Sequence, residues 1–144
     1  MFVVDTNILV YAADKSSPAH DLCREKIEEW RRQSSPWYAT WGILYEFLRV
    51  ITHPRFFRQP WGVAQAWGFV EALLASPTFG LLAPSERHAQ VAAEVLKKGE
   101  HLRGNLIYDA QTAILMREHG IKMIYTRDTD FHRFPFLEPV DPTL

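Results

Sequence analysis

One cysteine, Cys23, stands among the 144 residues. A lone thiol excludes an internal disulfide and a cysteine-based zinc site, and it points to a reducing, cytoplasmic setting. Positive charge is not in excess either: 16 Lys and Arg face 17 Asp and Glu, for a net charge of −1. Such a chain does not hold phosphate backbones by bulk charge, so nucleic-acid contacts must come from local patches. Long apolar runs are missing. The most apolar stretch, residues 64–83, is interrupted by Glu71, Pro77 and Gly80, which argues against a membrane span. The opening MFVVDTNILVYA has no basic segment ahead of its apolar residues, so no signal peptide is expected. No internal repeat or linker-like stretch divides the chain, and its length fits one domain over residues 1–144. With 47% hydrophobic and 23% charged residues, it is neither disordered nor of low complexity.

Apolar runs and helical patterns alternate. Phe2-Val3-Val4 ends at Asp5 and suits a short strand buried on both faces, as in a parallel sheet. Ser17-Pro18 reads as a helix start, with Ser17 as cap. Ala19, Leu22, Cys23, Ile27 and Trp30 then recur at helical spacing opposite a charged face. Trp37 to Ala39 is a second strand. Thr40 caps a helix through about Ile51, which Pro54 ends. A loop rich in Arg and aromatic residues follows, then a helix from about Val63 to Ala75 and a strand from Phe79 to Ala83. Ser85 is expected to cap a helix through Lys98, stopped by Gly99. A further helix spans about Leu106 to His119, and Met123 to Thr126 is a fourth strand. The tail holds a turn at Asp130 to Phe134 and a weak strand near Pro139-Val140. This alternation predicts an α/β fold, a central mostly parallel sheet with helices on both faces.

The informative residues are acids. Asp5 ends the first strand, and Asp128 and Asp130 follow the fourth. Ligands of open α/β sheets bind beyond the carboxyl ends of the strands, so these acids should meet there. Asp109 lies in the first turn of its helix, and Glu46 sits on an otherwise apolar helix, where burial without a partner is costly. Taken singly, each has an ordinary role as a turn former, a helix-dipole partner or a solvated charge. Together in one crevice they raise one another's pKa, a conflict that a divalent cation removes. An all-oxygen set selects Mg²⁺ or Mn²⁺ over Zn²⁺. Such ions serve metal-assisted phosphodiester hydrolysis. A histidine base, His53 or His132, is not needed for that chemistry.

The sequence resembles the PIN-domain ribonucleases, and more narrowly the VapC-type toxins of toxin–antitoxin pairs. VVDTNILVY resembles the first motif of that family, EFLRVITHPR the second, GNLIYDAQTAIL the third and TRDTDFHRFPFL the last, in the expected order along the chain. The resemblance implies a three-layer α/β/α sandwich and an endoribonuclease. It implies that Asp5, Glu46, Asp109 and Asp128 bind Mg²⁺ or Mn²⁺ and activate water, with Asp130 as a further ligand. It leaves open which of Asp128 and Asp130 is closer to the ion. Thr6, Asn7, Asn105 and Thr126 would position carboxylates or water. A tRNA or rRNA loop as substrate, an antitoxin protein as partner and a homodimer are implied as well.

Basic residues flank the acids. Arg49, Arg55, Arg103 and Arg127 are candidates for RNA contact, with His53, Arg58 and Arg133 nearby. Arg49 is one turn from Glu46 and could orient that carboxylate instead. Aromatic residues of the HPRFF loop could stack on unpaired bases. The five Trp and nine Phe suggest an interface in addition to a core, in a groove between the helices at 41–51 and 63–75. Cys23 reads as a small core hydrophobe. Three rivals remain. An aspartyl-nucleophile phosphatase needs a second acid two residues after the first, where this chain has Asn7. A receiver domain usually carries paired acids near the first strand and a lysine after the last, which are not seen here. A catalytically inactive PIN-like RNA-binding module would normally have lost its acids, and all are present.

Overall fold

Five strands of three residues each form one sheet in the computed structural model, which describes residues 1–144. They are β1 (Phe2–Val4), β2 (Trp37–Ala39), β3 (Phe79–Leu81), β4 (Met123–Tyr125) and β5 (Glu138–Val140). Their spatial order is β3-β2-β1-β4-β5 and every pairing is parallel. Val3 is in register with Ile124, and both are fully buried. The sheet is therefore more uniform than the mostly parallel one expected.

Helices fill the crossovers. Between β1 and β2 run α1 (Thr6–Ala13) and α2 (His20–Arg32). Between β2 and β3 run α3 (Trp41–Ile51) and α4 (Val63–Leu74), and between β3 and β4 run α5 (His88–Lys97) and α6 (Leu106–Glu118). A short 3₁₀ helix, Thr129–Arg133, joins β4 to β5. Steps from β1 to β2 to β3 move outward in one direction, whereas the step from β3 to β4 returns past β1. Right-handed crossovers therefore put α1–α4 on one face and α5–α6 on the other. The observed packing agrees: α1 packs on α2 and α3, α3 on α4, and α5 on α6. This is a three-layer α/β/α sandwich.

Three local expectations are corrected. The helix α1 starts directly after Asp5, in a segment to which the sequence reading assigned no helix. Six of its eight residues are buried, including Thr6, Ile8, Leu9 and Val10, so it lacks the polar face that reveals a helical period. Ser17 does not cap α2, which begins at His20; its hydroxyl instead accepts the Ala19 N–H at 3.2 Å, within the preceding turn. Ser85 does not begin α5 either. Its hydroxyl donates to Glu118 Oε1 at 2.7 Å, and the helix starts at His88. Thr40 does cap α3 as expected, accepting the Ile43 N–H at 3.0 Å.

The core is aliphatic at the sheet and aromatic at its margin. Trp30 and Trp37 are buried in contact with Phe2, Tyr125 and Phe79. Cys23 is buried among hydrophobic residues, as expected of a core position. The seam between α3 and α4 is filled by aromatic pairs, Phe47 on Phe69 and Trp41 on Trp67. The open groove lies beside that seam. It is a hollow of about 700 Å³ bounded by the end of α1, Ile51, the loop at Phe56 to Gln59, and Trp61. No helix is long and apolar enough to cross a membrane.

Candidate active site

The strand order reverses its direction of growth at β1, whose neighbours are β2 and β4. At such a switch point adjacent crossovers leave on opposite faces and open a crevice at the carboxyl ends. Asp5 follows β1 and Asp128 follows β4, so the topology alone brings both to that crevice. From one face α3 adds Glu46, and from the other α6 adds Asp109; these two helices touch.

The inner pocket, about 330 Å³, is lined by Asp5, Thr6, Asn7, Glu46, Asp109 and Asp128, among others. An outer cleft of about 590 Å³ shares Glu46, Asp109 and Asp128 with it and adds Asp130, Arg49, Arg103 and Asn105. All five acids read from the sequence thus face one connected hollow. One carboxylate oxygen from each of Asp109, Asp128 and Asp130 lies within 4.8 Å of the others.

Asp5 is held most firmly. Its Oδ1 accepts the Thr6 N–H at 2.8 Å and so caps α1. Its Oδ2 accepts the Thr126 hydroxyl at 2.7 Å and the Asn7 amide at 3.2 Å. Thr126 Oγ1 in turn accepts the Asp128 N–H at 2.9 Å, which fixes the start of the β4–β5 connection. The Thr6 hydroxyl is within 3.2 Å of both Glu46 Oε2 and the Ile43 carbonyl. Asp128 caps the 3₁₀ helix by accepting the Asp130 N–H at 2.8 Å. Three of the four expected positioning residues therefore do contact acids. The fourth, Asn105, lines the outer cleft without capping α6 through its side chain.

Glu46 departs from the sequence argument in one respect. It is not buried: α3 turns Ile43, Leu44, Phe47 and Ile51 inward, and the Glu46 side chain is half-exposed at the cleft rim. It faces the site because of its angular position on the helix, not through enforced desolvation.

The electrostatics are those of crowded carboxylates. Burial lifts Asp5 from 3.8 to about 6, aided by the charges of Glu46 and Asp128 and opposed by its hydrogen bonds from Thr126 and Thr6. Burial and then Asp128, Asp5, Asp130 and Glu46 push Asp109 up to about 7. Counter-charge is sparse. Arg49 reaches Glu46 only at 4.0 Å, and Arg133 pairs with Asp130 at 3.2 Å.

The donor set passes a test for a hard divalent cation. It contains only oxygen, its members repel one another, and three oxygens already lie within 4.8 Å of each other. Two oxygens bound to one Mg²⁺ at about 2.1 Å are at most about 4.2 Å apart, so small rotamer changes would bring those three oxygens onto one ion, while Asp5 and Glu46 line the same hollow outside that group of three.

Of the candidate RNA contacts, Arg49 and Arg103 line the outer cleft. Arg127 is engaged elsewhere, pairing with Asp141 at 3.6 Å and lying over the Tyr11 ring. Arg55 is exposed on its loop, where its backbone N–H donates to His53 Nδ1. Arg58 lines the 700 Å³ groove. Two residues were not singled out from the sequence. Tyr108, beside Asp109, stands exposed at the cleft rim. Glu118 is buried away from the site and binds Ser85 and His88. A tyrosine next to a motif acid was the signal for the first; the second had none.

A family model described as PIN domain matches residues 2–137. Ribonuclease VapC48 of Mycobacterium tuberculosis is 30% identical over 138 residues, covering 96% of this chain and 94% of that protein. VapC ribonuclease Mb2897 of Mycobacterium bovis is 34% identical over 134 residues, covering 93% and 90%. Among solved structures, VapBC2 from Rickettsia felis bound to a DNA fragment from their promoter superposes with a TM-score of 0.69. It is 18% identical and covers 96% of each chain.

Proposed function

The chain belongs to the PIN-domain family, and from that premise we propose that it is a metal-dependent endoribonuclease, the toxin of a type II toxin–antitoxin pair. The observation that carries the proposal is the convergence of Asp5, Glu46, Asp109 and Asp128 on one pocket. Its relatives at 30% and 34% identity bear the name ribonuclease, which supports RNA as the substrate class. We assign residues 1–144 to one PIN-like domain acting in the cytoplasm on a tRNA or rRNA loop, bound by an antitoxin and paired as a homodimer.

Asp5, Glu46, Asp109 and Asp128, with Asp130, would hold Mg²⁺ or Mn²⁺. When bound, such an ion supplies Lewis acidity toward water and the phosphoryl oxygens of an in-line displacement. Asp128 lines both the inner pocket and the outer cleft, whereas Asp130 lines only the outer one; this favours Asp128 as the closer ligand. The chain's own work is orientation. Thr126 and Asn7 fix one oxygen of Asp5, and Thr6 ties Asp5 to Glu46 through its backbone and its hydroxyl. Arg49 and Arg103 stand where flanking phosphates would pass.

The rivals fare worse. Asn7 spends its amide on Asp5 and Thr126, so it is a positioning group and not the general acid of an aspartyl phosphatase. A receiver domain of flavodoxin-like order 2-1-3-4-5 does not match β3-β2-β1-β4-β5. The test is incubation with a structured RNA and Mg²⁺ or Mn²⁺, with and without EDTA. Internal cleavage that EDTA stops and Asp109→Asn abolishes supports the proposal. Intact RNA beside hydrolysis of a small phosphate ester would overturn it.

A further inference from the structure

Two exposed tyrosines stand on opposite walls of the outer cleft. Tyr45 is on α3, one residue before Glu46, and Tyr108 is on α6, one residue before Asp109. Their relative exposures are 64% and 68%. Neither hydroxyl has a hydrogen-bond partner in the chain. Tyr108 lies against no other aromatic ring, and Tyr45 has one ring neighbour, Trp41, at 6.0 Å. Nothing in the fold accounts for two large rings left in water on either side of the acids.

The same cleft carries Arg103, which makes no ion pair, and Arg49, whose reach to Glu46 is at the outer limit of one. A cluster of carboxylates repels a phosphate chain, so a nucleic acid must be held from the rim. Guanidinium groups suit its phosphates, and aromatic faces suit its bases, with little regard to sequence. A base can offer its face only when it has left the stack; a duplex keeps its faces hidden.

Resting on the ribonuclease reading, we propose that Tyr45 and Tyr108 are the stacking residues of the outer cleft, holding bases on the two sides of the scissile phosphate while Arg49 and Arg103 hold the adjoining phosphates. Two stacking faces recognise a base by its ring and not by its edge, so this pair selects for the unpaired state more than for any base.

The test measures binding apart from cleavage. The cleavage-deficient Asp109→Asn protein is titrated into a short fluorescein-labelled single-stranded oligoribonucleotide of mixed sequence, and into the same strand annealed to its complement. Single-strand binding should be the tighter. In that background Tyr45→Leu and Tyr108→Leu should each weaken it about tenfold, and Tyr45→Phe and Tyr108→Phe should rescue it, since stacking needs the ring and not the hydroxyl. Both residues are exposed, so melting curves should confirm unchanged folding. Equal affinity for strand and duplex, no binding of either, or Leu variants that bind as the parent does would overturn the inference. So would a loss that appears only with a change of particle mass in sedimentation, which would assign the rings to an interface between protein copies. The ribonuclease reading has its own readout: wild-type protein that binds the strand but never cuts it, with Mg²⁺ or Mn²⁺ present, would defeat that reading and leave the stacking intact.

Discussion

The Thr126 hydroxyl donates to Asp5 Oδ2 at 2.7 Å across 121 positions of sequence. The bond clamps the end of β1 to the end of β4, on the two sides of the switch point, and sets the angle of the most buried acid in the pocket. Thr126→Val keeps the shape and removes the donor. Cleavage should fall about 10- to 100-fold, in the range usual for groups that orient a metal ligand, and the melting temperature should drop by a few degrees, because the Asp128 N–H and the Asn7 amide lose their acceptor as well. Single-turnover cleavage of an RNA substrate by the variant measures it; wild-type rates would remove Thr126 from the site's function.

Asp5→Asn and Asp109→Asn should each abolish detectable cleavage while the chain stays folded. Asn caps helices about as well as Asp, so α1 keeps its start when Asp5 is replaced. Circular dichroism beside the cleavage assay separates loss of chemistry from loss of structure.

Binding of the ion should be visible without RNA. A ligand that binds only the folded state at 100 times its dissociation constant adds about 2.7 kcal/mol. Mg²⁺ or Mn²⁺ should therefore raise the melting temperature of EDTA-treated protein, and Asp109→Asn should blunt that rise. An unchanged midpoint across millimolar Mn²⁺ would count against the carboxylate site.

Acidity should stabilise the metal-free protein at first. Asp5 at about 6 and Asp109 at about 7 both hold their protons more tightly in the folded chain than at the ordinary value of 3.8. The folded state therefore takes up protons as pH falls through 7 and 6, and stability rises until both states are protonated below about 4. For the buried Asp5 alone the gain is on the order of 2–3 kcal/mol. Melting in EDTA should accordingly be higher at pH 5 than at pH 8. Asp5→Asn should flatten the trend and stabilise the metal-free form at pH 8. A flat or opposite trend in wild type would contradict the crowding of the acids.

Glu118 has the opposite sign. Its burial works against ionisation, but the Ser85 hydroxyl and N–H and the His88 ring outweigh it and leave the pKa lowered from 4.5. The stability it contributes is present at neutral pH and is lost as pH falls through the folded value, below the ordinary one. The carboxylate ties the end of α6 to the start of α5, with His88 Nδ1 at 2.6 Å. Glu118→Ala should destabilise by about 1–3 kcal/mol, because it removes charge-assisted hydrogen bonds from Ser85 and His88, and should leave cleavage per folded molecule unchanged. Urea unfolding at pH 7 tests it.

Most of the fold was legible because its punctuation is local. Thr40 capping α3, Gly120 after α6 at φ +70°, and the apolar runs of β1, β2 and β4 each act through neighbours in sequence. The acids were legible because strand ends and a strand–helix alternation fix where they go. What escaped was tertiary. The helix α1 is buried nearly all round, so its period carries no polar signal. Ser85 looks like a cap, yet its hydroxyl answers to Glu118, 33 positions away. Tyr108 gained meaning only when α6 set it on the wall facing Tyr45.

The placement of β4 beside β1 has a temporal consequence. Synthesis runs from residue 1 onward, so a ribosome has made Asp5, Glu46 and Asp109 well before it adds Thr126 and Asp128. A growing chain lacks both the clamp and the Asp128 carboxylate until those residues have been added, and closing the pocket requires the most distant pairing in the sheet, a slow kind of contact to form. The acid pocket is thereby among the last parts of the fold that a growing chain can complete.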